Sequence, residues 1–480
     1  MSYNPPMQND TIAALATPPG VGGIGVIRVS GNDAFAIVLP LLQRPARNTS
    51  LPPSHQLTYG HIVDPDTQEI IDEVLVAFMH APRTYTREDV VEIQGHGGSL
   101  VLRRILRLVL AHGARPANPG EFTLRAFLNG RLDLAQAESV MDLIASETEV
   151  GQRLAMQQLQ GHLSEQLQQA RHSILDVIAR IEASIDFPEE DVPTPQREEL
   201  QPLLAVAQQL VDRLLAGSEQ GRLYRQGVRL AIIGRPNVGK SSLLNALLRS
   251  ERAIVTPIAG TTRDTVEEAA NVRGIPLHLI DTAGITPTED PVERIGVQRS
   301  RAAAENADVV LHVFDGSDRL TEQDRRVATE LQTMGFGNSA PDGSAHRKRP
   351  VIVVVNKSDC PPLLDREKLD QLWPQTICIA TSTFTREGLG ELENSIAEIV
   401  MAGRVPQQES ILVTSARHQE ALRRTAEHLY AADQSLEQNV PLDFVSIDLR
   451  AAYDALGEIT GESASDDLLD KIFSEFCIGK

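Results

Sequence analysis

Cysteine is scarce in this sequence: Cys360, Cys378 and Cys477 are the only three in 480 residues. Three thiols cannot build a disulfide framework, so they read as free thiols of a reducing compartment. Aromatic residues make up 4%, which favours helix-rich packing over a β-sandwich. No apolar run approaches the ~18 residues of a membrane span. The opening MSYNPPMQND has neither the basic nor the apolar region of a secretory signal. The closing Cys477-Ile478-Gly479-Lys480 holds a cysteine, but glycine and lysine at its last two positions suit prenylation poorly, and no lipid anchor is expected. A cytoplasmic protein is the expectation. Positive charge is short as well: 45 Lys and Arg against 65 Asp and Glu give a net charge of −20. Such a chain does not hold nucleic acid by overall charge, so an RNA substrate would need a local patch or a basic partner.

Apolar residues, at 41%, suffice for several cores. At ~150 residues per domain the length suggests about three. Residues 1–130 mix β-like runs (VGGIGVIRVSG, IIDEVLVAFM, VVEIQGHGG) with one helical run, LVLRRILRLVLAHGA, an α+β pattern. Residues 131–225 carry apolar side chains at helical spacing, broken by FPEEDVPTP at 187–195 and resumed at 198–216. Residues 226–403 alternate helical segments with VRLAIIG, LHLIDTAG, VVLHVFDG and PVIVVVNKSD, the near-continuous apolar runs of buried parallel strands. A doubly wound sheet follows. Its polar stretch at 338–350 reads as a loop. Residues 404–480 are helical again with a break near 441–443, so the α/β unit interrupts one helical domain.

Gly234-Arg-Pro-Asn-Val-Gly239-Lys240-Ser241 fits G-x-x-x-x-G-K-[ST] between a strand and a helix. Its backbone N–H groups would close around phosphates, Lys240 would neutralise them, and Ser241 would ligate Mg²⁺. Asn356-Lys357-Ser358-Asp359 ends another strand. An aspartate there accepts from guanine N1–H and the 2-amino group, a donor pair adenine lacks, so the nucleotide is GTP. Asp281-Thr282-Ala283-Gly284 follows a third strand, with Asp281 suited to the Mg²⁺ shell and Gly284 N–H to the γ-phosphate. Thr262, in GTTRD, is the candidate second Mg²⁺ ligand. Ser382-Thr383-Phe384 stands where a base-stacking S-A-[KR] loop belongs. Ile285 occupies the position of a water-orienting glutamine and cannot do its work, so hydrolysis draws on other groups, with carboxylates Glu289, Asp290 and Glu293 nearby.

These motifs, with ATPPGVGGIGVIRVSG, EDVVEIQGHGG, PGEFTLRAFLNGRLDLAQAE, GRPNVGKSSLLNAL, IVTPIAGTTRD, VERIG and ITGESASDDLLDKIFSEFCIGK in order along nearly the whole chain, resemble the MnmE (TrmE) family of tRNA-modification GTPases. The resemblance implies an N-terminal folate-binding-like domain that also dimerises, and a Ras-like P-loop GTPase domain inserted in a helical domain. It implies a GTP hydrolase activated by K⁺ and its dimer mate. With the flavoprotein MnmG, this enzyme would add a carboxymethylaminomethyl or aminomethyl group to C5 of the wobble uridine (position 34) of certain tRNAs, with a reduced folate as one-carbon donor. By the same resemblance, nucleotide contacts fall on Asn237, Val238, Gly239, Lys240, Ser241 and Ser242. They continue through Thr256, Pro257, Ile258, Ala259, Gly260, Thr261 and Thr262, and on to the three motifs above. K⁺ contacts map to Asn237, Thr256, Ile258 and Thr261, folate contacts to Arg28, Glu92, Arg131 and Lys480, and the catalytic carboxylate to Glu293. Position 131 is often lysine in the family. Cys477 matches a terminal cysteine needed for modification. A ribosome-assembly GTPase resembling Era, a scaffold with a structural nucleotide site, and an N-terminal domain without a ligand stand as alternatives.

Overall fold

The computed structural model describes residues 10–44, 51–186, 195–250, 268–280, 301–337, 349–401 and 413–480. The chain forms two compact units. One comprises Met1–Met141, Gln158–Gln208 and Arg424–Lys480, the other Asp142–Gln157 and Gln209–Arg423. The expected α/β range, 226–403, lies inside the second, which also takes in 142–157 and the end of the helix Arg197–Gln226. Among the described residues no helix is long and apolar enough to cross a membrane.

The first unit is built on a seven-stranded sheet of β1 (Ile12–Leu15), β2 (Gly22–Ser30), β3 (Leu42–Gln43), β4 (Gln56–Val63), β5 (Ile70–Met79), β6 (Val90–Gly97) and β7 (Arg115–Pro116), in the order β3-β4-β5-β6-β2-β1-β7. All neighbours are antiparallel except β1 and β7. Side chains alternate between the faces of a strand. Ile27, Val29, Val91, Ile93, Val74 and Val76 turn inward and pack on Leu102, Ile105 and Val109 of the helix Ser99–Ala111. The opposite face carries a cross-strand row of Arg28, Glu92, Ala77 and Leu57.

The long helical run is three helices, Leu134–Ala145, Glu149–Leu159 and His162–Asp186, with Gly161 in the left-handed region at the last break. His162–Asp186 packs on Leu442–Thr460, where the Arg171 guanidinium lies 4.1 Å from the Tyr453 ring centroid. The helix Asp466–Ser474, capped by the Ser465 hydroxyl, precedes Phe476. Phe473 and Phe476 join Leu124 and Leu134 in a small core that fastens the C-terminal tail.

The second unit holds β8 (Val228–Ile233), β9 (Glu268–Val272), β10 (Ile275–Leu279), β11 (Val309–Asp315), β12 (Val351–Asn356) and β13 (Cys378–Ala380), in the order β13-β12-β11-β8-β10-β9. All pairings are parallel except that of β9, an antiparallel edge strand on β10. Every residue of β11 is buried, which explains its unbroken apolar run. The order steps from β8 to β11 on one side and to β10 on the other, and such a switch point opens a crevice at the strands' carboxyl ends.

Candidate functional site

The P-loop sits at that switch point. β8 ends at Ile233 and the helix Lys240–Ser250 begins at the motif's lysine. Asn237 and Gly239 turn the loop through positive φ, +65° and +96°. A Cβ on Gly239 would lie 2.2 Å from Asn356 Nδ2, so the close approach of the two motifs needs glycine. Lys240 Nζ donates to the carbonyls of Gly234 (2.7 Å) and Arg235 (2.8 Å). Burial pulls its pKa down. A desolvated ammonium held by carbonyls suits a phosphate, whose negative charge would favour the charged form against that desolvation. Ser241 and Ser242 occupy the first turn of the helix, and buried Val238 anchors the loop.

Asn356 Nδ2 donates to Val238 O at 2.9 Å and ties the guanine motif to the P-loop. Its Oδ1 is buried without a partner among the described residues, a place for a ligand donor. Lys357 Nζ pairs with Asp315 Oδ2 at 2.5 Å. Burial alone would raise the Asp315 carboxyl, but Lys357 and the Ser317 hydroxyl override it and hold the pKa below the ordinary range. The sequence expectations omitted Asp315, although its Asp-Gly at a strand end is a legible signal. Ser382 Oγ donates to Asp359 Oδ1 at 2.6 Å and lowers that pKa. Ser358 N–H donates to Thr381 O. Thr383 is half-buried, whereas Phe384, two residues after the serine that holds Asp359, is 88% exposed.

The remaining nucleotide, Mg²⁺ and K⁺ expectations, Thr256, Pro257, Ile258, Ala259, Gly260, Thr261, Thr262, Asp281, Thr282, Ala283 and Gly284, lie outside the described residues, as do Ile285, Glu289, Asp290 and Glu293.

In the first unit, Arg28 and Glu92 face each other across β2 and β6. Arg28 Nε and Nη2 both lie 2.9 Å from Glu92 Oε1, and Nη1 donates to Gly479 O at 3.3 Å. The Arg28 guanidinium stands 5.7 Å from the Tyr85 ring centroid and 5.6 Å from that of Phe122. Arg131 approaches Tyr85 at 4.9 Å and donates to Thr84 O. Lys480 is partly buried here. Desolvation lowers its pKa and the charge of Arg28 lowers it further, against the opposing pull of Cys477 and Glu92. The tail is pinned by Phe122 N–H to Lys480 O (3.2 Å) and Gly120 N–H to Cys477 O (3.4 Å). Cys477 is a free, half-buried thiol. The structure thus gathers Arg28, Glu92, Arg131, Cys477 and Lys480 from distant parts of the chain. It adds Tyr85 and Phe122, which no local pattern singled out.

Sequence models of known families match on both sides of the α/β unit. One described as the GTP-binding protein TrmE N-terminus matches residues 11–131, and the MnmE helical domain matches 134–477. The tRNA modification GTPase MnmE of Ligilactobacillus salivarius is 47% identical over 476 residues, covering 99% of each chain. The protein of the same name from Lactiplantibacillus plantarum is 48% identical over 473 residues, 98% of each chain. The chain belongs to the MnmE family of tRNA modification GTPases. As a member it is a GTP hydrolase acting in tRNA modification, with GTP as its nucleotide and tRNA as its substrate. The MnmE match runs through both flanks of the nucleotide site, which an Era-like reading of the motifs alone would not require.

Proposed function

We propose that this MnmE-family GTPase is K⁺-activated. Working with the flavoprotein MnmG, it adds a carboxymethylaminomethyl or aminomethyl group to C5 of the wobble uridine (position 34) of certain tRNAs, with 5,10-methylene- or 5-formyl-tetrahydrofolate as the one-carbon donor. It acts as a cytoplasmic homodimer within a complex of heterotetramer type. In the nucleotide site Lys240 neutralises the phosphates, Ser241 and Thr262 hold Mg²⁺, and Asp359 accepts from the guanine. Asn237 with the backbone oxygens of Thr256, Ile258 and Thr261 takes K⁺, whose charge replaces an arginine finger, and Glu293 orients the attacking water.

The observation that carries the folate assignment is the Arg28–Glu92 pair with Lys480 beside it. Both guanidinium contacts fall on Glu92 Oε1. That leaves Oε2 to accept from a pterin ring N–H or amino group, while Lys480 and Arg131 offer cations to carboxylates or carbonyls. A bound folate supplies the carbon unit, and these residues orient it. Homodimerisation is supported by the same sheet face, which leaves Leu57, Tyr59 and Leu75 exposed on adjacent strands. Titration calorimetry with 5-formyl-tetrahydrofolate tests the assignment. The wild type should release binding heat, and Glu92→Ala should bind about 10- to 100-fold more weakly, the size of a hydrogen bond to a charged group. No heat from the wild type ends it.

A further inference from the structure

The β9–β10 hairpin is held at its tip by residues that lie far from the nucleotide motifs in sequence. Along the chain Thr262 comes shortly before β9 and Asp281 just after β10, so the hairpin's open end leads into both segments expected to meet GTP and Mg²⁺. Its closed end is the two-residue turn Arg273-Gly274, with φ of +54° and +86°. Five residue pairs from Ile275↔Val272 to Leu279↔Glu268 lock the register behind it. Two positive φ values in succession make a tight turn suited to the strand twist, so the element is stiff for its length.

Thr148 grips that turn. Its hydroxyl donates to Gly274 O at 2.9 Å between buried groups. The same oxygen accepts from Gly151 N–H at 3.1 Å, capping the helix Glu149–Leu159. One hydroxyl therefore joins a helix N-terminus to a hairpin tip. Val150 closes the contact: a Cβ on Gly274 would lie 2.4 Å from Val150 Cγ2. A second grip comes from His278 Nε2 on β10, which stands 3.0 Å from the Gln226 carbonyl at the end of the helix Arg197–Gln226.

We propose that Thr148 is a positioning residue that couples the GTP site to residues 142–157 through the β9–β10 hairpin, so that the nucleotide state is felt at the helix Glu149–Leu159. Loss of a γ-phosphate changes what the segments flanking such a hairpin hold. A stiff hairpin carries the change to its tip, and because the bond lies between buried groups, release of Thr148 would leave a buried carbonyl unpaired.

Hydrogen exchange of the full-length protein, with GDP against a non-hydrolysable GTP analogue at pH 8, tests this. In the wild type and in Thr148→Ser, which keeps both hydrogen bonds, amides of 149–159 should exchange about 5-fold or more differently between the two nucleotides, the lower end of usual coupling. In Thr148→Asp, which still accepts from Gly151 N–H but cannot donate to Gly274 O, that difference should collapse while the P-loop amides keep theirs. Thr148→Val serves in its place if circular dichroism shows the aspartate variant unfolded. No nucleotide dependence at 149–159 in the wild type overturns the proposal, and so does a difference retained in the variant that lacks the donor.

Discussion

Asp359 is exposed, yet its carboxylate has a fixed aim because Ser382 Oγ holds Oδ1 at 2.6 Å. Replacing it by asparagine exchanges one acceptor for a donor opposite the guanine N1–H and amino group. Asp359→Asn is expected to weaken GTP about 10- to 100-fold and to favour xanthosine triphosphate, which presents a carbonyl where guanine has its amine. Fluorescent-nucleotide titrations check this, and unchanged GTP affinity would contradict it. His312 is a second residue with a definite consequence. It is fully buried in β11, accepts from Trp373 Nε1–H at Nδ1 (3.0 Å), and burial takes its pKa down to about 3. Below the unfolded value near 6.5 the unfolded chain takes up a proton that the folded chain refuses, so stability falls progressively as pH drops from about 6.5 toward 3. His312→Gln keeps an acceptor for the indole without the titration. Trp373 is the sole tryptophan, so its fluorescence reports melting here. The gap between the two melting temperatures should change as pH falls from 7 to 4, with the wild type losing more, and parallel curves would refute the assignment. The N-K-x-D motif could be read directly, because base recognition demands those residue types. His312 could not: its role depends on a tryptophan brought to it by packing.

The helix Glu121–Leu128 contains a network that no periodicity revealed. Arg125, 4% exposed, meets Asp10 Oδ1 (2.5 Å), Glu88 Oε1 (3.0 Å) and Glu121 Oε1 (3.1 Å), and Glu121 also pairs with Arg115 at 2.6 Å. Glu88 in turn accepts from Ser30 Oγ, so the network fixes the segment that presents Tyr85 to Arg28 and Arg131. Arg125→Met would take the cation from Glu88 and leave Asp10 and Glu121 with Arg115 alone. The expected cost is about 3–5 kcal/mol in chemical denaturation of the full chain, and a change below about 1 kcal/mol would show that the network contributes little. The long strands β2, β5 and β6 were legible because one face is buried and the other is not. β1, β3 and β7 have four residues or fewer and exist through their partners. β9 reads EAANV, with little β-branched character, and is a strand because β10 offers it an edge. The second helical run extends beyond the expected 216 to Gln226, through Gly217, Gly221 and several polar residues that weaken an apolar pattern.

At the scale of the whole molecule, charge is unevenly spread. Residues 1–131 hold 11 Arg and 11 Asp plus Glu, a net charge of 11 − 11 = 0, so the −20 of the chain resides in the remainder. A tRNA is repelled least by the part that carries Arg28, Glu92 and Arg131. The order of domain types along the chain was visible in composition and motif order, because buried parallel strands and amphipathic helices differ in period. The docking of Lys480 beside Arg28 was visible only through family resemblance, since nothing local links the chain's two ends. The central claim is that a guanine nucleotide bound through Lys240 and Asp359 drives chemistry on the wobble uridine. Mass spectrometry of tRNA nucleosides from cells whose only copy carries Lys240→Ala tests it most directly. Loss of the C5 carboxymethylaminomethyl and aminomethyl uridines and gain of the unmodified base are expected, and an unchanged set of wobble uridines would contradict the claim.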